Sequence, residues 1–134
     1  MYLEGHRGTY TSQAETKRGN RRAEHLLREA EWWSTTAAVD RSWPYPAGKL
    51  QELWREVLLL QFHDILPGSS IAWVHREAER SHAETTDRLE RIIADAVAAL
   101  VGEGSQPLAL NPGTAPVAAI AAATMPSSSA VMRA

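Results

Sequence analysis

The chain contains no cysteine. That removes disulfides and thiolate metal sites from consideration, and a reducing compartment fits. It has no strong charge of one sign either: fourteen Lys and Arg stand against sixteen Asp and Glu, for a net charge of −2. A general nucleic-acid binder shows a marked basic excess, so that class is set aside at the level of composition. Long apolar runs are missing as well. The longest, Val57-Leu58-Leu59-Leu60 and the alanine-rich tail, fall far short of the ~20 residues of a membrane helix. The opening Met1-Tyr2-Leu3-Glu4-Gly5-His6 lacks the basic-then-apolar order of a signal peptide. There is no Gly-rich phosphate loop and no nucleophile elbow. The expectation is a soluble, cytoplasmic protein with neither membrane nor nucleic acid as partner.

What is present is helical periodicity. The chain has 134 residues, of which 44% are hydrophobic, enough for one small domain with a modest core. Ala23, Leu26, Leu27, Ala30, Trp33 and Ala37 recur at spacings of three and four amid charged residues, the mark of an amphipathic helix. It is predicted to begin between Ala14 and Asn20 and to fade by Asp40. Pro44 and Pro46 then oppose a continuous helix. Leu50, Leu53, Trp54, Val57, Leu58 and Gln61 share the face of a second helix. Leu59, Leu60 and Phe62 widen its apolar arc, which predicts burial on more than one side. Pro67-Gly68 breaks it, and Ser69 or Ser70 is placed to cap a third helix. Ile71, Val74, Ala78, Thr85, Leu89, Ile92, Ile93, Ala96 and Leu100 carry that helix almost to Gly102. Its middle, around Arg76 to Glu84, is polar and is expected to project beyond shorter partners. The fold class is therefore mainly α: a three-helix up-down-up bundle with short β or loop remnants at both ends. Tyr2-Leu3 with Thr9-Tyr10-Thr11, and Leu108-Ala109-Leu110, are the expected strand remnants. The expected division is 1–14, 15–103 and 104–134. Both ends look as though they belong to something larger.

Two polar clusters stand where such elements start and stop: His6-Arg7-Gly8-Thr9-Tyr10-Thr11-Ser12-Gln13, and Gln61-Phe62-His63-Asp64-Ile65-Leu66-Pro67-Gly68. Reactive groups are commonly held at such places. His6 suits zinc chemically, but it also suits a surface loop, since a zinc site needs three or four ligands. His63 and Asp64 fit a helix end, the imidazole meeting free carbonyls and the carboxylate accepting turn N–H groups. Lys17, Arg18, Arg21 and Arg22 make a basic patch that can touch phosphate. Interleaved Glu15, Glu24, Glu29 and Glu31 read instead as a mixed, solvated face. Trp33 and Trp54 lie on apolar stripes, whereas Trp32, Trp43 and Trp73 suit contacts with absent neighbours.

Taken in order, Tyr2 to Ala14, Lys17 to Arg21 and Leu53 to Ile71 resemble glycoside hydrolase family 38 α-mannosidases, most closely the bacterial and cytosolic branch. The likeness runs over residues 1 to 112. It implies a zinc-dependent retaining exo-α-mannosidase in which an α/β catalytic domain precedes a three-helix middle domain and β-sandwich domains follow. The motif histidine of the family, a zinc (Zn2+) ligand, falls on His6. Arg7 and Tyr10 would line the same site, and His63 and Asp64 would lie near it as substrate-binding residues. The remaining ligands, a His-x-Asp pair and the nucleophilic aspartate, would come from earlier sequence. Leu110-Asn111-Pro112 looks like the start of the first β-sandwich. Gly5 and Glu15 depart from the family pattern, and the expected sandwich strands do not follow Pro112. The implied partners are an α-mannoside substrate and the missing catalytic and sandwich domains. The implied fragment is inactive alone, because a retaining glycosidase needs two carboxyl groups ~5 Å apart and none is identifiable here. The alternative is a stand-alone, non-catalytic helical interaction module.

Overall fold

The computed structural model describes residues 4–102 and 110–113. Three α-helices account for most of them: α1 (Ala14–Arg41), α2 (Ala47–Leu60) and α3 (Ala72–Val101). At 1.5 Å per residue, α1 and α3 are rods of roughly 42 and 45 Å, and α2 is about half as long. Arg22 pairs with Glu90 and Arg41 reaches the carbonyl of Leu100. The two long helices therefore run parallel, with α2 returning between them, in the up-down-up order that the short connections require.

The apolar stripes explain the packing. All six residues of the first series are buried, and Leu50, Leu53, Val57 and Leu60 of α2 close over them. Leu89, Ile92, Ile93, Ala96 and Val97 of α3 complete the core, with Trp43, Trp54 and Leu110 packed at its edge. Trp43 thus belongs to this chain's own core, contrary to its expected role at an outside contact. α1 stops where Ser42 takes a left-handed backbone (φ 55°), and the amides of Ser42 and Trp43 both reach the Ala37 carbonyl. Pro44 and Pro46 then carry the chain to α2.

Four further expectations are corrected. Among the described residues there is no strand: Glu4–His6 is a single 3-10 turn, and residues 7–12 continue as tight turns. Thr9 binds the His6 carbonyl through both its amide and its hydroxyl, a local closure that leaves Thr9-Tyr10-Thr11 no extended partner. Tyr2-Leu3 and Leu108-Ala109 lie outside the described residues. Second, α2 buries one face only: Leu58, Leu59 and Phe62 are exposed, because α1 and α3 both lie on its other side. Third, no serine caps α3. Ile71 holds the N-cap position without a side-chain hydrogen bond, and the Ser69 hydroxyl turns to Asp64.

The fourth concerns the polar middle of α3, which does not project. α1 is nearly as long and runs beside it, and His75, His82 and Thr85 face inward, almost fully buried. Gly19 makes this possible. A Cβ there would lie within 2.9 Å of three His82 atoms, so the absent side chain is the space the imidazole fills. Among the described residues, neither ring nitrogen of His75 or His82 has a hydrogen-bond partner.

Candidate functional site

The two polar clusters meet at one end of the bundle. After α2 the chain makes consecutive turns, with the amides of Ile65 and Leu66 bonded to the Phe62 carbonyl and that of Gly68 to the Ile65 carbonyl. Gly68 has φ +90°, a region that favours glycine. A Cβ on it would also strike the Ser12 hydroxyl and Gln13. The second cluster is thereby pressed against the first. The Ser12 hydroxyl donates to the Pro67 carbonyl at 2.8 Å. The Lys17 ammonium donates to the Ser12 carbonyl at 2.5 Å, to Leu66 at 3.0 Å and to Pro67 at 3.4 Å. Three carbonyls from two segments thus converge on one cation, and hydrogen bonds to a charged donor are the stronger kind.

One turn further along α1, Gln61 donates to Asn20 and Glu24, and Asn20 also donates to Glu24. This half-buried network ties the end of α2 to α1. Lys17, Ser12, Asn20 and Gln61 were not singled out as a joining set by the sequence reading. The rest of the basic patch is engaged in ion pairs: Arg18 with Glu15, Arg21 with Glu24 and Arg22 with Glu90. Charges matched this way form the mixed face expected from the interleaved glutamates.

The candidate site residues lie on the outer surface of this end. His6, Arg7 and Tyr10 are exposed. His63 and Asp64 are exposed too and sit in the turns beyond α2 rather than in its last turn. Nε2 of His63 is 3.5 Å from an Asp64 oxygen, and the His63 ring tilts against Phe62 with centroids 4.1 Å apart. The other Asp64 oxygen accepts from the Ser69 hydroxyl at 3.4 Å. The structure therefore joins the segments that bear these side chains. It does not gather the side chains into a closed centre: among the described residues no group of three or more His, Asp or Glu could hold a metal ion. An exposed imidazole such as that of His6 can supply one ligand, and a tight zinc site takes three or four.

Beside this end lies an uncovered apolar face, with Leu58, Leu59, Phe62, Ile71 and Trp73 exposed. No helix of the described residues is long and apolar enough to cross a membrane.

Comparison with known proteins bears on this geometry directly. The family profile described as the alpha mannosidase middle domain matches residues 4–100, a span that includes both clusters. The chain belongs to the α-mannosidase middle-domain family. Among curated relatives, an alpha-mannosidase of Saccharomyces cerevisiae is 49% identical over 78 residues, covering 57% of this chain and 7% of the relative. Human alpha-mannosidase 2C1 is 42% identical over 101 residues, covering 75% of this chain and 10% of the relative. Alpha-mannosidase G of Dictyostelium discoideum is 39% identical over 102 residues, covering 76% and 9%. The chain thus spans a tenth or less of the relatives it matches.

Proposed function

We propose that this chain is the middle segment of an α-mannosidase that hydrolyses terminal α-mannosides. In this reading the end of the bundle bearing both clusters faces the sugar-cleaving lobe. The observation that carries it is the joining of the two segments, with His6, Arg7, Tyr10, His63 and Asp64 all presented outward. An outward imidazole on a braced turn suits a metal ligand completed from elsewhere. His6 is the proposed zinc ligand. Zinc, when bound, would supply a Lewis acid able to orient sugar hydroxyls. Arg7 and Tyr10 would border the sugar, and His63 with Asp64 would offer it hydrogen bonds.

The reaction would be of the retaining type, with its two carboxyl groups in the preceding lobe. The chain alone would then be inactive. A cytoplasmic location is proposed from the likeness to the cytosolic branch.

The test is a graft. Residues 4–100 replace the middle domain of the human relative, which matches this chain over 101 residues, and hydrolysis of an aryl α-mannoside and bound zinc are measured. An active graft that loses both zinc and activity on His6→Ala supports the reading. A graft whose His6→Ala variant keeps full zinc and activity overturns the role of His6. Hydrolysis by the isolated chain would overturn its assignment as an inactive segment.

The exposed Leu58, Leu59, Phe62, Ile71 and Trp73 also favour a second reading, a non-catalytic interaction module. Exposed apolar faces of this kind mark docking surfaces. An inactive graft that nonetheless folds would favour it.

A further inference from the structure

We propose that Lys17 is a positioning residue that makes one unit of two segments some fifty residues apart in sequence. Its own helix, α1, begins directly after the first cluster, and its side chain runs back to meet the second. Nothing local requires a lysine there. The first turn of a helix favours acidic side chains, because its unpaired amides are the positive end of the dipole, so a cation in this place is explained by what it reaches. It reaches the carbonyls of Ser12, Leu66 and Pro67. Among the described residues no backbone amide is bonded to the Pro67 carbonyl, which leaves it to side-chain donors. That same carbonyl accepts the Ser12 hydroxyl. Gly68, next in the chain, comes so close to Ser12 that no side chain fits between them. Cation, hydroxyl and bare glycine thus serve one end: holding the His6–Gln13 turns against the Phe62–Gly68 turns.

The consequence is that the turns bearing His6 and those bearing the His63–Asp64 pair keep a fixed relation. Lys17 acts through the backbone of both. Its use in a reaction rests on the α-mannosidase reading above; the clasp itself does not, and is tested without any activity.

The measurement is amide hydrogen exchange on the whole chain, comparing wild type with Lys17→Met and Lys17→Arg. Lys17→Met keeps the length and removes the donor; Lys17→Arg keeps a cationic donor. The reporters are the amides of Ser12, Leu66 and Gly68, which bond to Gly8, Phe62 and Ile65. Lys17→Met is expected to speed exchange at all three by about tenfold, while Leu89 and Ile93 in the core stay unchanged. Lys17→Arg is expected to stay near wild type. Joint, selective acceleration in Lys17→Met with recovery in Lys17→Arg carries the proposal. Acceleration in one segment alone, in neither, or along the whole bundle overturns it, as does an arginine variant that behaves like the methionine one.

Discussion

Gly19 and His82 form a lock of two residues, each explaining the other. A histidine on the inner face of a long helix needs room, and the neighbouring helix gives it by having no Cβ at the point of contact. Gly19→Ala would push a methyl group under 3 Å from the imidazole near its root, where the ring cannot swing away. Overpacking of this kind costs about 1–3 kcal/mol, so the urea midpoint of Gly19→Ala should fall clearly below wild type; an unchanged midpoint would show that the helices separate freely. The ring also carries a pH dependence. Burial pushes the His82 pKa below its ordinary value of 6.5, and the nearby Glu56 carboxylate only partly opposes this. The unfolded chain then takes up a proton that the folded chain resists. Stability is full above about pH 6.5 and declines as pH falls from there toward the lowered folded value. Urea titrations between neutral and mildly acidic pH should show that decline, and His82→Asn should flatten it. A parallel decline in wild type and variant would remove His82 as its source. None of this is visible in sequence, where a histidine among Arg80, Ser81 and Glu84 reads as part of a solvated stretch.

At the scale of elements, the helices themselves were legible because spacing of three and four leaves little choice about which face turns inward. α1 and α3 lie within a residue or two of where their apolar series place them. What the periodicity cannot tell is how many neighbours a helix has. α2 carries apolar residues on two sides, and among the described residues Leu50, Leu53, Val57 and Leu60 are buried and Trp54 is partly covered, whereas Leu58 and Leu59 are exposed. The distinction is measurable. Leu53→Ala empties a fully buried position and should cost about 2–5 kcal/mol. Leu59→Glu, on the open side, should leave unfolding within about 0.5 kcal/mol of wild type. In the graft into the human relative, the same Leu59→Glu should impair hydrolysis if that face is covered by another lobe. Full activity would leave it a free surface. Long-range joints were not legible either. Lys17 looks like one of the four basic residues between positions 17 and 22, and only the fold reveals that its charge is spent on carbonyls of Leu66 and Pro67 while the other three meet glutamates.

For the whole molecule, the proposed reading asks two different things of the bundle, packing and metal binding. The bundle is self-sufficient in packing: its core closes on its own residues, including Trp43 and Trp54. In the proposed role of His6 it would not be self-sufficient as a metal centre, because that exposed imidazole would supply one of the three or four protein ligands a zinc site takes. That asymmetry gives a prediction specific to the separated chain. Loaded with excess zinc and then dialysed, the 134-residue chain should retain less than about one-tenth of an equivalent, since ligands for a structural or catalytic site must number three or four. His6→Ala should make no difference to that value in isolation, yet should strip zinc from the grafted enzyme. Metal analysis of both forms decides it. Stoichiometric zinc on the isolated chain would mean that residues within the chain complete the site, and the division of ligands between lobes would be wrong.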